Sequence, residues 1–405
     1  MKNEKTVKVG FGSKLLYYFL TVVLWIAAKL LLGFRLSTDE KVKEWKRSGK
    51  SFVILSAHPS EVDALVMLFA CFPRYARFVV AAQQLYQGTK GKLLRALHVV
   101  PKKQFTPDIK SIIEMIRTVK SGFILGMMPE GRVSMDSTEN PIDDSTAKLI
   151  KKLGVPVAVL KPYGTYFVKP PFKSKGIIRG KAGGELKALY DTEDLAKMPD
   201  DEVIKGLKEA LSYNISEELR GSGHRYGSRN KPYMKNVSNL FYRCPACGSM
   251  YTVTDDGRKL SCSSCNMEMD LTREMFFKCS DGSLPDNIAS WNKMQLEFEH
   301  EYWQDPGASF SIKVRKAVME IGKDTEFLFS DNEGGTLSLD ASGLHYEDAD
   351  ERIDIALPLL PGVSGDYENS FITLYKEDII RRFYTDNVKE VARFINSLMV
   401  LKDWK

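Results

Sequence analysis

Apolar residues open the chain as one long run. Residues 15–28 are hydrophobic, Lys29 interrupts, and residues 30–34 are hydrophobic again. A bilayer span needs about 20 apolar residues, and this stretch reaches that length only by tolerating Lys29. No small-residue cleavage site follows, so the pattern predicts a retained helix, not a removable signal peptide. Lys8 and Lys14 precede the run and Arg35, Lys41 and Lys43 follow it, so the flanking charges set no orientation. The reading is a helix embedded in, or lying on, a membrane. A true span is the alternative, and a buried core helix is the bland one.

From residue 51 the pattern changes to short bursts. SFVILS, RFVVAA, GFILGMM and VPVAVL are brief, rich in β-branched residues and bounded by turn formers, which predicts buried strands. Between the second and third, Ile109, Ile112, Ile113, Ile116 and Val119 recur at helical spacing, with Pro107 before them and Gly122 after. Alternating strands and helices imply an α/β layer fold. DEVIKGLKEALSYNISEELR predicts one more amphipathic helix, and the Gly/Ser-rich basic stretch 221–233 reads as a linker. PDNIASWNKMQLEFEHEYWQ is helical in pattern. From residue 308 the pattern alternates in short strands (SFSIKV, EFLFS, GTLSLD, GLHYE, SFITLYK, RRFYT) and closes with one helix, 388–402. That order suggests a small barrel of the pleckstrin-homology type.

The expected organisation is therefore a membrane-associated segment over 1–40, an α/β domain over 41–220 and a linker over 221–240. A cysteine module over 241–272 and a mainly β domain over 280–405 with a terminal helix complete it. A chain of 405 residues is too long for one ordinary core. The net charge of +6 is modest but uneven: residues 145–184 hold nine Lys or Arg and no acidic residue. Such an excess suits an anionic partner or a solvated basic face, and composition does not choose between them.

Candidate chemistry enters with SAHPSEVDALVMLFA, residues 56–70. His58 stands five residues before Asp63, at the mouth of a predicted helix. One reading is local: Ser60 and Asp63 fit a capping box and His58 is a turn residue. The other is that His58 and Asp63 form a proton-transfer pair. A second stretch, MMPEGRVS, runs an apolar strand into Glu130, Gly131 and Arg132; the glycine permits close backbone approach and the arginine offers a fork suited to phosphate. A third, LHVVPKKQF, leads a short strand into Lys102 and Lys103.

HPSEVD, a basic residue after a short strand, PEGR some seventy residues on, and then VPV together resemble the glycerolipid acyltransferase family, best known through the 1-acyl-sn-glycerol-3-phosphate acyltransferases. The resemblance covers residues 51–184, and a hydrophobic N-terminus is typical of it. It implies that His58 is a general base and that Asp63 holds its tautomer, as the carboxylate does in a Ser-His-Asp triad. It implies that Glu130, Gly131 and Arg132 bind the acceptor's glycerol phosphate, with Lys102 where the family usually has arginine. The chain departs from the usual P-E-G-T-R-S by bringing arginine one position forward, and lysine lacks arginine's bidentate fork.

The implied activity is O-acyl transfer from acyl-carrier protein or acyl-CoA to a lysophospholipid, with lysophosphatidic acid the first expectation, at the cytoplasmic face of the cell membrane. No G-x-S-x-G nucleophile motif is present and the reaction needs none. No redox cofactor and no nucleic-acid partner is expected. A reading from a different class is a non-catalytic membrane adaptor that recruits partners through its C-terminal half.

Six cysteines remain. Cys244, Cys247, Cys262 and Cys265 form C-x2-C-x14-C-x2-C, the arrangement of a zinc ribbon, and four thiolates suit a closed structural zinc site. Unliganded or redox-active thiols are the alternative. Cys71 and Cys279 read as ordinary thiols, and His98, His224, His300 and His345 have no partner at ligand spacing.

Overall fold

The structure, a computed structural model, describes residues 6–173, 175–279, 282–330, 334–360 and 362–402, so the first residues of the expected N-terminal segment and the start of the expected last domain lie outside it. Two compact units emerge. The first comprises Met1–Ser134, Thr138–Val168 and Arg179–Ile215; the second comprises Met135–Ser137, Lys169–Ile178 and Ser216–Lys405.

In the first unit the opening hydrophobic run is helix α1 (Phe11–Leu32), stopped by Gly33 in the left-handed region at φ 53°. One face of α1 is covered: Tyr17, Thr21 and Ala28 are buried, the Tyr17 ring lies 4.6 Å from Tyr75, and Trp25 lies 5.9 Å from Phe69. The opposite face leaves Phe11, Leu15, Phe19, Ile26 and Leu30 exposed at helical spacing, an uninterrupted apolar stripe.

Strands β1 (Arg35–Thr38), β2 (Val53–Ser56), β3 (Ala76–Ala81), β4 (Val100–Lys102), β5 (Ile124–Met127), β6 (Val157–Tyr163) and β7 (Gly183–Tyr190) build a seven-stranded sheet, ordered β1-β7-β6-β2-β5-β3-β4. Its neighbours are parallel except β6 and β7, which run antiparallel. Every residue of β2 and β5 is buried, as expected of central strands covered on both faces. Helices α2 (Glu40–Arg47), α3 (Asp63–Cys71), α4 (Gly88–Ala96), α5 (Ile109–Lys120), α6 (Ser145–Leu153), α7 (Thr165–Val168), α8 (Thr192–Lys197) and α9 (Asp200–Leu211) complete the unit. Phe52, Ile54, Val66, Phe69, Ile124 and Leu160 share one core. Gly126 lets α3 close on the sheet, since a Cβ there would stand 2.4 Å from the Met67 sulfur.

Three expectations need correction here. The helix expected from one run at 201–220 is two pieces, α9 and α10 (Ile215–Leu219). Ser212, Tyr213 and Asn214 between them are committed to residues 130, 138 and 139 instead of to helical bonds. The capping box also differs. Helix α3 begins at Asp63 with Val62 at its N-cap and no side-chain cap; the Asp63 carboxylate accepts from Ser60 N–H at 2.6 Å. Finally, the basic stretch is not a continuous solvated face, because Lys151 bonds Asp200 at 2.8 Å and the stretch divides between the two units.

In the second unit β8 (Val253–Asp255), β9 (Lys259–Cys262), β10 (Glu268–Leu271) and β11 (Phe277–Lys278) form a four-stranded antiparallel sheet. Helix α11 (Ile288–Tyr302) follows, its Trp291 stacked on Phe241 at 4.1 Å. Then come β12 (Ser309–Glu320), β13 (Leu328–Phe329), β14 (Gly335–Asp340), β15 (Gly343–Glu347), β16 (Arg352–Ala356), β17 (Val363–Asp366), β18 (Phe371–Lys376), β19 (Ile379–Tyr384) and α12 (Val388–Leu401). The strand order is β16-β15-β14-β12-β19-β18-β17, with β13 beside β12. The long β12 serves both halves, pairing with β14 through its first residues and with β19 through its last. Its outward and inward alternation matches a sheet with one covered face. Strands β16 and β17 were not expected from sequence. Within this unit Lys389 of α12 donates to Tyr251 O at 3.3 Å and also to Val253 O, tying the terminal helix to the cysteine segment.

Candidate active site

Strands β2, β4, β5 and β6 point the same way, and the candidate residues follow their C-terminal ends, where α/β sheets place ligand-binding loops. His58 follows β2, Lys102 ends β4, and Glu130, Gly131 and Arg132 follow β5. Topology thus gathers segments that are far apart in the chain.

His58 is held at three points. Its Nδ1 lies 3.3 Å from Asp63 Oδ2, its N–H donates to Glu130 Oε1 at 2.7 Å, and its C=O accepts from Ser134 N–H at 3.1 Å. Asp63 is fully buried at the start of α3. Burial pushes its carboxyl up, while the bonds from His58 and from Ser60 N–H pull it down. An ionised Asp63 accepting from Nδ1–H selects the tautomer whose Nε2 carries the lone pair, the form a base needs.

Glu130 is buried and its oxygens are shared among protein donors. Oε1 takes the His58 N–H; Oε2 takes Asn140 N–H and Nδ2 at 2.9 Å each and the Tyr213 hydroxyl at 3.1 Å. Burial raises the Glu130 carboxyl, opposed by the Asn140 and His58 donors, and burial also keeps Tyr213 protonated as a donor. Gly131 turns the loop at φ 70°, a conformation that disfavours side chains, and its C=O accepts from Gln104 Nε2 at 2.7 Å. Arg132 Nε donates to Asn140 Oδ1 at 3.1 Å. Lys102 donates to the carbonyls of Lys103 and Thr106 at 3.2 and 3.3 Å, closing its own loop, and burial lowers its pKa.

Asn140, Tyr213, Ser134 and Gln104 belong to this constellation and were not anticipated. Asn140 sits in a segment without periodicity, Tyr213 lies within the pattern that reads as one helix, and their partners are 8 to 83 positions away.

The four predicted cysteines converge elsewhere, within the second unit. Their sulfurs all lie within 4.8 Å of one another, with Cys244–Cys265 and Cys247–Cys262 at 3.9 Å. Two like turns present them: Gly248 N–H donates to Cys244 O and Asn266 N–H to Cys262 O, each at 3.0 Å, with both residues at positive φ. Among the described residues this is the group of metal-ligating side chains that could hold an ion. His345, read as partnerless, sits between two carboxylates, Asp354 at 2.6 Å and Asp340 at 3.2 Å, because β16 returns Asp354 beside it.

A family model described as acyltransferase matches residues 34–160. The 1-acyl-sn-glycerol-3-phosphate acyltransferase of Bacillus subtilis (strain 168) is 27% identical over 192 residues, 47% of this chain and 92% of that protein. Among solved structures, the 1-acyl-sn-glycerophosphate (LPA) acyltransferase PlsC of Thermotoga maritima matches with a TM-score of 0.42 and 20% identity, over 51% of this chain and 81% of that one. His58, Asp63, Lys102 and the Glu130-Gly131-Arg132 loop all fall inside the span that matches the acyltransferase family model, and the chain is an acyltransferase carrying that domain over residues 34–160.

Proposed function

We propose that the enzyme moves a fatty acyl group from a thioester donor, acyl-carrier protein or acyl-CoA, to the free hydroxyl of 1-acyl-sn-glycerol-3-phosphate. The observation that carries this is the His58–Asp63 contact at the end of β2, with Asp63 buried and the His58 side chain partly open to solvent. His58 Nε2 takes the acceptor's hydroxyl proton as that oxygen attacks the thioester carbonyl carbon. The tetrahedral intermediate then expels the thiolate, and the imidazolium returns the proton to sulfur, so no enzyme nucleophile is needed. Arg132 and Lys102 supply positive charge for the acceptor phosphate and Gly131 allows backbone approach. Glu130, with its oxygens taken by protein donors, acts on this reading by holding the His58 loop and not by touching substrate.

The apolar stripe of α1 favours a helix lying in the bilayer interface, because its other face is already covered by Tyr75, Phe69 and Phe72. The site would then work at the cytoplasmic face of the cell membrane. The cysteine cluster fits zinc: thiolates about 2.3 Å from a tetrahedral ion stand about 3.8 Å apart, against the 3.9 Å contacts here. Four sulfur ligands close the coordination sphere, so this zinc would be structural. The shared first strand and closing helix of the last domain support its pleckstrin-homology-type reading.

The test is acyl transfer by purified protein against a lysophospholipid panel with both donor types. Acylation of lysophosphatidic acid is expected, and no transfer with any donor and acceptor pair contradicts the proposal.

A further inference from the structure

We infer that Asn140 is a positioning residue that couples the general base to the acceptor-binding arginine. The inference rests on the acyl-transfer reading above. Asn140 is 8% exposed, and one amide reaches three groups. Its Nδ2 donates to Glu130 Oε2 at 2.9 Å and to Arg132 O at 3.3 Å, while its Oδ1 accepts from Arg132 Nε at 3.1 Å. Carboxylate on one side and guanidinium on the other leave the amide one orientation, since only its nitrogen can face Glu130 and only its oxygen can face Arg132.

Through Glu130 the effect reaches His58, whose N–H is bound by the other carboxylate oxygen. Through Oδ1 it fixes the direction of the Arg132 fork. A single side chain thus sets both the base and the phosphate grip, and Tyr213 steadies the same carboxylate from the opposite end of the unit's sequence. An asparagine suits the position because it donates and accepts from one rigid plane. Aspartate keeps the acceptor for Arg132 but sets a second carboxylate against Glu130, and alanine removes both.

The two arms can be separated with full-length protein. Asn140→Ala should lower kcat and raise the acceptor KM about tenfold each, the scale of one lost charge-assisted hydrogen bond, with the donor KM unchanged. Asn140→Asp should lower kcat but keep the acceptor KM near the wild-type value. Arg132→Ala should raise the acceptor KM less in the Asn140→Ala background than in the wild type, because both weaken the same grip. Should Asn140 variants fold poorly, Tyr213→Phe removes only the hydroxyl and should lower kcat several-fold with both KM values intact. An Asn140→Ala enzyme that matches wild type while His58→Ala is inactive overturns the inference and leaves the base in place. Equal losses for donor and acceptor that track a fall in Tm also overturn it, reducing Asn140 to a structural role. A His58→Ala enzyme that still turns over ends both the base assignment and the coupling.

Discussion

The His58 loop and the cysteine cluster each bring four or more functional side chains to a point, by opposite means. Around His58 the buried polar groups neutralise one another: the Asp63 carboxylate is met by an imidazole and an amide, and Glu130 by four protein donors. That arrangement is set by the protein's own groups, with Asp63 Oδ1 the one oxygen of the two carboxylates left buried without a partner among the described residues, and it can be preorganised for chemistry. Around Cys244 the sulfurs converge on one another, with only the Ser249 hydroxyl beside Cys247 and the Thr252 hydroxyl beside Cys262 as side-chain partners among the described residues. Four thiols at that separation satisfy little and four thiolates repel, so the cluster makes physical sense with a cation at its centre. One site is therefore held by the fold, and the other, on the proposed zinc reading, would hold the fold.

The comparison predicts unequal responses to perturbation. The largest effect belongs to metal removal. One zinc per chain is expected on elemental analysis, and chelation or Cys262→Ser should collapse the thermal transition of the second unit. Binding to such sites is worth about 10–16 kcal/mol in zinc-finger peptides. A metal-free protein with an unchanged transition would show that the cluster needs no ion.

Next comes Asp63→Asn. An amide there can donate to Nδ1 and stabilise the wrong tautomer, so acyl transfer should fall on the order of 10⁴-fold, as for the equivalent change in a serine-protease triad. The fold should survive, and single-turnover rates would show a loss in the chemical step. A loss confined to substrate binding would break the analogy.

Arg132→Ala should follow, raising the acceptor KM about ten- to a hundredfold and sparing the donor, because a bidentate charged contact is worth about 1.5–3 kcal/mol. Arg132→Lys should recover part of it. Initial rates with either substrate varied decide the matter.

The smallest effect lies in the second unit, at His345. The bond to Asp354, seconded by Asp340, raises its imidazole, while Ser342 holds Asp340 down to about 2. A raised imidazole contributes stability fully present below its ordinary pKa of about 6.5 and lost as pH rises through the folded value. The lowered carboxylates lose theirs only as pH falls through their own folded values. His345→Gln should therefore cost under ~1 kcal/mol, since the group is partly exposed, and the cost should vanish in alkaline melts. A Tm difference that grows with pH would reverse the assignment.

What the sequence disclosed follows the reach of each interaction. The His58–Asp63 spacing is local, and each C-x-x-C is local, so both were legible in a few residues. Strands β2, β5 and the first four residues of β6 were legible because fully buried strand segments are short apolar runs. The partners of Glu130 were not, because His58 N–H lies 72 positions away and Tyr213 lies 83, the latter inside a pattern that reads as plain helix. The expected helix over 201–220 failed at Ser212–Asn214 for the same reason: tertiary partners, above all the accepting Glu139 carboxylate, outbid a sound helical pattern. Strand β16, RIDIA, carried an alternating signal too short to separate from a loop, and its register with β15 is what gives His345 its carboxylate.

On the proposed mechanism the fold holds His58 ready to take a proton from an acceptor hydroxyl. This is tested most directly by acyl transfer from a thioester donor to lysophosphatidic acid, comparing wild type with His58→Ala at matched Tm and membrane binding. Loss of a general base should cost about 10²–10⁴-fold in turnover with little change in either KM. Turnover by His58→Ala within a few-fold of wild type would contradict the account.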